Sequence, residues 1–330
     1  VMKKDLKDYL NIKTLLLVLL VALVIFIPVW GNRRYMNIAI LVLMYIGLGE
    51  SWNLLSGMSG LFSIAHALFF GLGVYGMTIG MTKLGLPVVG GILLGLAANV
   101  VMALIVGFVG SKLSGLYFTM ALIALHAIIY TLAGQMSFTG YALGLSMPRE
   151  YLMSRRALYF LVLGLAILMM LIFVWVRKSR IGTNFVALKE NPDLAVSLGS
   201  NIRGWRILAV IISAMMASIM GAFYAFYMMA NTPEVFASTI SLRIIMVCMV
   251  GGLGNVWGPV MGCWLIVFDE LVRGVMPSKF ASFAVVVYAL VLIVMALLKP
   301  KGIMGSKIFQ PKETDARSVE NKKAAAKAQK

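Results

Sequence analysis

Residues 157–176 read ALYFLVLGLAILMMLIFVWV, a run of twenty residues with no charge, fenced by Arg155 and Arg156 on one side and Arg177 and Lys178 on the other. At 1.5 Å per residue such a run is about 30 Å long as a helix, the thickness of a bilayer's hydrocarbon core. Comparable runs recur along the 330 residues, 61% of which are hydrophobic and 12% charged. A soluble domain carries about twice that share of charge. Inside lipid the backbone must satisfy its own hydrogen bonds, so the sequence predicts an all-α polytopic membrane protein.

Hydropathy predicts about ten transmembrane helices, near 13–30, 36–55, 59–82, 87–110, 115–134, 157–176, 205–229, 240–251, 258–274 and 281–298. The third is rich in glycine and the eighth is short for a full crossing, so either is a candidate for a broken or re-entrant segment shielded by protein. The N-terminal apolar run has a basic flank but no small-x-small cleavage site, and reads as a retained helix. This divides the chain into an N-terminal segment 1–12, a transmembrane domain 13–305 interrupted by a polar loop 177–206, and a basic, solvated tail 306–330. With the N-terminus inside, twenty basic residues fall on the cytoplasmic face and eight on the other, the expected bias for a bacterial-type inner membrane with both termini cytoplasmic. The net charge of +17 is thereby explained by topology, without nucleic acid. The longest external loop is 133–156.

Within the polar loop, residues 187–204 read ALKENPDLAVSLGSNIRG. Asn191 suits an N-cap, Pro192 the first helical position, Asp193 the positive helix end and Gly199 a left-handed stop. Leu194, Ala195 and Leu198 share one face, a small apolar ridge bordered by charge. A two-turn helix does not hold alone in water, so it must rest on something. A groove on a partner and the lipid headgroups are the two alternatives.

This loop, with Glu190 followed by Ala195 and Gly199, resembles the cytoplasmic "EAA"-type loop of permease subunits in bacterial ABC importers. NLLSGMSGLFSIAHALFFGLGVY (53–75), GLYFTM (115–120) and MVGGLGNVWGPVMG (249–262) are similar to three blocks of the LivM-type branched-chain amino-acid permeases. The resemblance runs from about residue 35 to 305. It implies a type-II-like importer permease that pairs with a second, homologous permease. It also implies two cytoplasmic ATPase subunits, which bind the ATP and Mg, and a periplasmic or lipid-anchored binding protein that delivers substrate. Lys189, Glu190, Asn191, Pro192, Asp193, Leu194, Ala195, Leu198 and Gly199 would then form the ATPase-coupling helix.

Candidate path residues are Asn53, Ser63, His66 and Arg243, polar groups in otherwise apolar segments. For Asn53 and His66 the competing reading is a hydrogen bond between helices. For Arg243 it is a side chain reaching the headgroups. Relatives in the resembled family often carry an acidic residue where Arg243 stands, and TGYALGLS (139–146) lacks the Gly-Gly-x-Asp-Gly pattern expected there. A guanidinium facing the path favours a carboxylate-bearing solute, which adds small organic acids to branched-chain amino acids as candidate cargo. His126 reads as a packing contact, and Glu50, Asp269 and Glu270 as interfacial residues near helix ends.

GLGVYG (71–76) matches a dinucleotide fingerprint but lies in a membrane helix with no strand before it, so close helix packing explains it. No phosphate loop, paired carboxylates, Ser-His-Asp set or HExxH pattern occurs, and Cys248 and Cys263 lack partners for a metal or disulfide framework. The expectation is a non-catalytic subunit with no cofactor or metal of its own. An ion-coupled carrier is the rival reading, and its mark would be an acidic residue embedded at an interrupted helix.

Overall fold

The computed structural model describes residues 32–275 except Ser114, Leu198 and Gly199. The predicted helices 13–30 and 281–298, the segment 1–12 and the tail 306–330 lie outside the described residues. The helices are α1 (Arg33–Trp52), α2 (His66–Thr82), α3 (Val88–Lys112), α4 (Leu116–Gln135), α5 (Arg155–Lys178), α6 (Arg180–Glu190), α7 (Pro192–Ser197), α8 (Ile202–Met228), α9 (Ser238–Gly251), α10 (Trp257–Gly262) and α11 (Trp264–Val275). Among the described residues, five stretches are long and apolar enough to span a bilayer: α1 with its extension to Met58, α3, Tyr117–Gln135 within α4, α5 and α8.

The caps follow from local sequence. The Ser154 hydroxyl accepts from Ala157 N–H to start α5, the Ser179 hydroxyl accepts from Ile181 N–H to start α6, and the Asn201 side-chain amide oxygen accepts from Gly204 N–H to start α8. Arg177 and Lys178 close the last turn of α5, where cations suit the negative helix end.

Helices α2, α3 and α8 pack through glycines, which let backbones approach closely. A Cβ on Gly73 would lie 2.3 Å from the Ser218 carbonyl oxygen, one on Gly76 2.3 Å from Cα of Gly95, and one on Gly221 2.3 Å from the Phe70 carbonyl oxygen. α3, α4 and α5 turn exposed apolar side chains outward, among them Leu93, Phe108, Met120, Leu168 and Leu171.

Of the two suspect crossings, the third is interrupted and the eighth is a short unbroken helix that follows a re-entrant stretch. α1 runs on as a π-helix, Asn53–Met58, residues 59–65 are non-helical, and α2 begins only at His66. After α8, a two-residue strand β2 (Ala230–Asn231) pairs antiparallel with β1 (Leu145–Ser146), and a 3-10 turn, Pro233–Phe236, dips back into the bundle. Phe236 stacks on Tyr75 there. α9 therefore starts inside the bundle, and 14 residues take it to the far end. The predicted helix 258–274 is split between Gly262 and Trp264.

The expectation that Glu50 and Asp269 sit at an interface is corrected. Glu50 is fully buried because the π-helix carries α1 onward to Met58, and Asp269, 3% exposed, lies on the buried face of α11 with Leu265 and Ile266. Glu270 is half-buried.

The tight contacts yield a prediction. Gly73→Ala forces a Cβ onto backbone and should cost about 1–3 kcal/mol, seen as a lower melting temperature of the purified protein. Gly164→Ala on α5, where a Cβ meets nothing within 4 Å, should leave it unchanged or slightly raised.

Candidate functional site

Three places bring the candidate residues together. The first is the polar loop. Its helical part is two helices meeting at Asn191, because an unforeseen amphipathic helix, α6, buries Gly182, Phe185 and Leu188 before α7 begins. Pro192 takes the first position of α7, as its fixed φ favours, and the Asn191 carbonyl accepts from Ala195 N–H. Ser200 N–H reaches back to the Ala195 carbonyl at 2.9 Å, the six-residue closure of a Schellman end. Ala195 does not stand on an outward ridge: it is 5% exposed, turned into the protein. Glu190, Val186 and Val196 are exposed. The Leu198 and Gly199 positions lie outside the described residues, and Asp193 and Leu194 are described only as backbone within α7.

Lys189, in the last turn of α6, lays its stem over Gly60 and its ammonium donates to the Gly57 carbonyl at 2.8 Å. Gly57 lies in the π-helix, where a Cβ would fall 2.1 Å from the Asn53 amide oxygen and 2.7 Å from Gly254 N. Asn53 in turn accepts from Gly254 N–H at 2.7 Å and donates to the Asn255 carbonyl at 2.9 Å. Gly252 and Gly254 have positive φ, so the Gly-Gly-Leu-Gly run forms a tight turn after α9. The polar loop, the π-helix and the glycine turn thus meet at one junction.

The second place is a buried polar string. The Ser51 hydroxyl donates to the Leu48 carbonyl at 2.7 Å, so its contact of 2.7 Å with His66 must use a proton on Nε2 of the imidazole. Ser213 donates to the Ser51 carbonyl, and Ser241 accepts from Ala67 N–H. Ser63 is engaged through its backbone, its carbonyl accepting from the Trp52 indole and its N–H donating to Ser56. Asn53, Ser63 and His66 are all fully buried and line neither of the two cavities described here. His126 contacts the Phe236 carbonyl, closing the re-entrant turn.

The third place is Arg243. It does not simply reach for headgroups: its guanidinium pairs with Asp269 at 3.1 Å, with side-chain exposures of 28% and 2%, and lies against the Tyr45 hydroxyl. It lines a cavity of about 310 Å³ with Tyr224, Met228, Thr232, Glu234 and Thr239. A second cavity of about 480 Å³, among Ile92, Tyr151, Leu161 and Phe223, is almost wholly apolar. Reading Asp269 as interfacial missed this pair, although Asp269 continues the periodic face of Gly262, Cys263, Leu265 and Ile266.

Helices of bilayer length around interrupted segments and a charge pair define an all-α polytopic membrane protein. The family model described as "Branched-chain amino acid transport system / permease component" matches residues 34–296, and the chain belongs to this branched-chain amino acid ABC transporter permease family. It is 24% identical over 327 residues to the high-affinity branched-chain amino acid transport system permease protein LivM of Escherichia coli (strain K12), covering 88% of this chain and 74% of that one. With the LivM protein of Salmonella typhimurium the identity is 23%, covering 88% and 75%. A probable LivH permease of Methanocaldococcus jannaschii is 25% identical over 139 residues, 41% of this chain and 44% of that one. Among solved structures, PsaBC from Streptococcus pneumoniae in complex with Fab superposes with a TM-score of 0.45 at 13% identity, over 86% of this chain and 97% of the other.

The junction is testable directly. Asn53→Ala leaves the Gly254 amide without its acceptor, a loss of about 1–3 kcal/mol. Hydrogen exchange at Gly254 should then quicken roughly tenfold or more, while amides in the middle of α3 stay protected. Unchanged exchange at Gly254 would show that Asn53 does not hold the turn.

Proposed function

We propose that this chain is the permease subunit of an ABC importer that carries branched-chain or other hydrophobic amino acids, or related small carboxylates, into the cell. Separate ATPase subunits drive it by docking on residues 187–199. The polar loop faces the cytoplasm of a bacterial-type inner membrane, both termini lie on that side, and a homologous permease completes the pathway. Two ATPases sit beneath, and an external binding protein delivers the cargo.

The observation that supports this most is the junction at Lys189. A helix that only rested on headgroups would need no tie to the bundle, whereas α6 is joined by a buried face and a charged hydrogen bond to the π-helix and, through it, to the turn after α9. Displacement of the loop therefore reaches two crossing elements at once. Family membership supplies the transport class. Of the path candidates, Arg243 faces a cavity and Asn53 braces the turn after α9, while Ser63 is held through its own backbone and His66 contacts the Ser51 hydroxyl.

Glu50 is an embedded acid three residues before the π-helix, the mark of an ion-coupled carrier, and neither carboxyl oxygen has a hydrogen-bond partner among the described residues. The family match favours the ATP-driven reading over that one. The discriminating variant combines Glu190→Ala with Leu194→Ala. It should reach the membrane at wild-type level, fail to capture the ATPase subunits, and lose at least about tenfold in ATP-driven uptake, since hot-spot truncations at interfaces cost 2 kcal/mol or more. Normal uptake in this variant would reject the docking role, and uptake by the chain alone in ATP-free vesicles would establish the carrier.

A further inference from the structure

We propose that the cavity lined by Arg243 and Glu234 is a water-filled binding site for a small α-amino-acid zwitterion, with Arg243 taking the carboxylate and Glu234 the ammonium. This rests on the permease reading and adds to it a site on the membrane subunit itself.

Depth is the first argument. Arg243 lies against Tyr45, which is twelve residues along α1 from Arg33, about 18 Å into a hydrocarbon core of about 30 Å. A guanidinium with 28% of its side chain exposed at that depth does not face lipid, because charged groups within a membrane face a bundle interior or an aqueous cavity.

The backbone is the second, independent argument. The cavity wall includes Ala230, Thr232, Glu234, Val235 and Ala237, which lead from β2 through the 3-10 turn into α9. Non-helical backbone at membrane depth is tolerated only where it is buried in protein or lines a water-filled space. Glu234 is exposed on this stretch and lines the same space, as a charged group in a water-filled cavity would.

The lining then selects the ligand. A volume of about 310 Å³ is at the small end of solute pockets, which run from about 300 to 1,000 Å³. Asp269, buried behind Arg243, fixes the orientation of the guanidinium, whose planar fork suits a carboxylate better than a lysine would. Glu234 supplies the opposite charge, Thr232 and Thr239 supply hydroxyls, and Met228, Val235 and Ile240 supply apolar surface for an aliphatic side chain. A plain carboxylate would leave the Glu234 charge unanswered, and a plain amine would forgo the charged hydrogen bond from the Arg243 guanidinium, which Asp269 already holds in place.

The test uses the full chain in lipid nanodiscs, titrated with radiolabelled L-leucine in competition with 4-methylpentanoate, which lacks the amine, and 3-methylbutylamine, which lacks the carboxylate. Saturable leucine binding is expected, with each analogue roughly tenfold weaker, the discrimination of one charged hydrogen bond. Glu234→Gln should abolish the preference over 4-methylpentanoate, and Arg243→Gln the preference over 3-methylbutylamine. Because Arg243→Gln alone strands the buried Asp269, the double variant Arg243→Gln/Asp269→Asn carries that arm if the single one misfolds. Absence of saturable leucine binding, or a preference that survives Glu234→Gln in folded protein, overturns the proposal. Neither result touches capture of the ATPases at the opposite end of the bundle, so this site and the docking reading fail separately.

Discussion

Backbone groups that leave the helical ladder inside a lipid-embedded bundle have no water to turn to, and this constraint organises the polar residues of the protein. The stretch 59–65 is held by Trp52 and Ser56, whose side chains bond the Ser63 and Leu61 carbonyls, and Ser241 accepts from a first-turn N–H of α2, that of Ala67. The re-entrant stretch 230–237 is held by His126 at Phe236, and by Tyr75 and Thr78 at Asn231. Of the side chains that looked like candidate chemistry, Asn53 gives such support, at the turn after α9.

That division shows why the fold was more legible than the site. Hydrophobic runs measure a crossing by length alone, so α3, α4, α5 and α8 appear in the sequence within a few residues of their bounds. The glycine content of 59–82 and the shortness of 240–251 announced interruptions, but not how the backbone would be satisfied, because many of the donors and acceptors come from segments over a hundred residues away. Asn53 holding Gly254, 201 positions on, is an instance. α6 escaped notice because its buried face is only Gly182, Phe185 and Leu188, too sparse for a pattern of apolar periodicity.

The charge pair shows a different failing. Arg243 and Asp269 each look like helix-end residues when read alone, and only the packing of α9 beside α11 makes them partners. A buried ion pair is weak evidence for stability, since desolvation offsets much of its attraction. Its presence beside a polar cavity is better explained by what it orients than by what it stabilises.

The glycine contacts of α2, α3 and α8 set limits on shape change. Where backbone rests on backbone, as at Gly73 over Ser218 and Gly76 over Gly95, one helix has no slack to slide past another, and the trio behaves as a single plate. The seam between α1 and α8 is built otherwise: Gly47 there abuts only the flexible thioether of Met220, at 2.8 Å from a notional Cβ. Shear is cheap along such a cushioned seam and costly across the plate, so the grain of the bundle already favours one fault line.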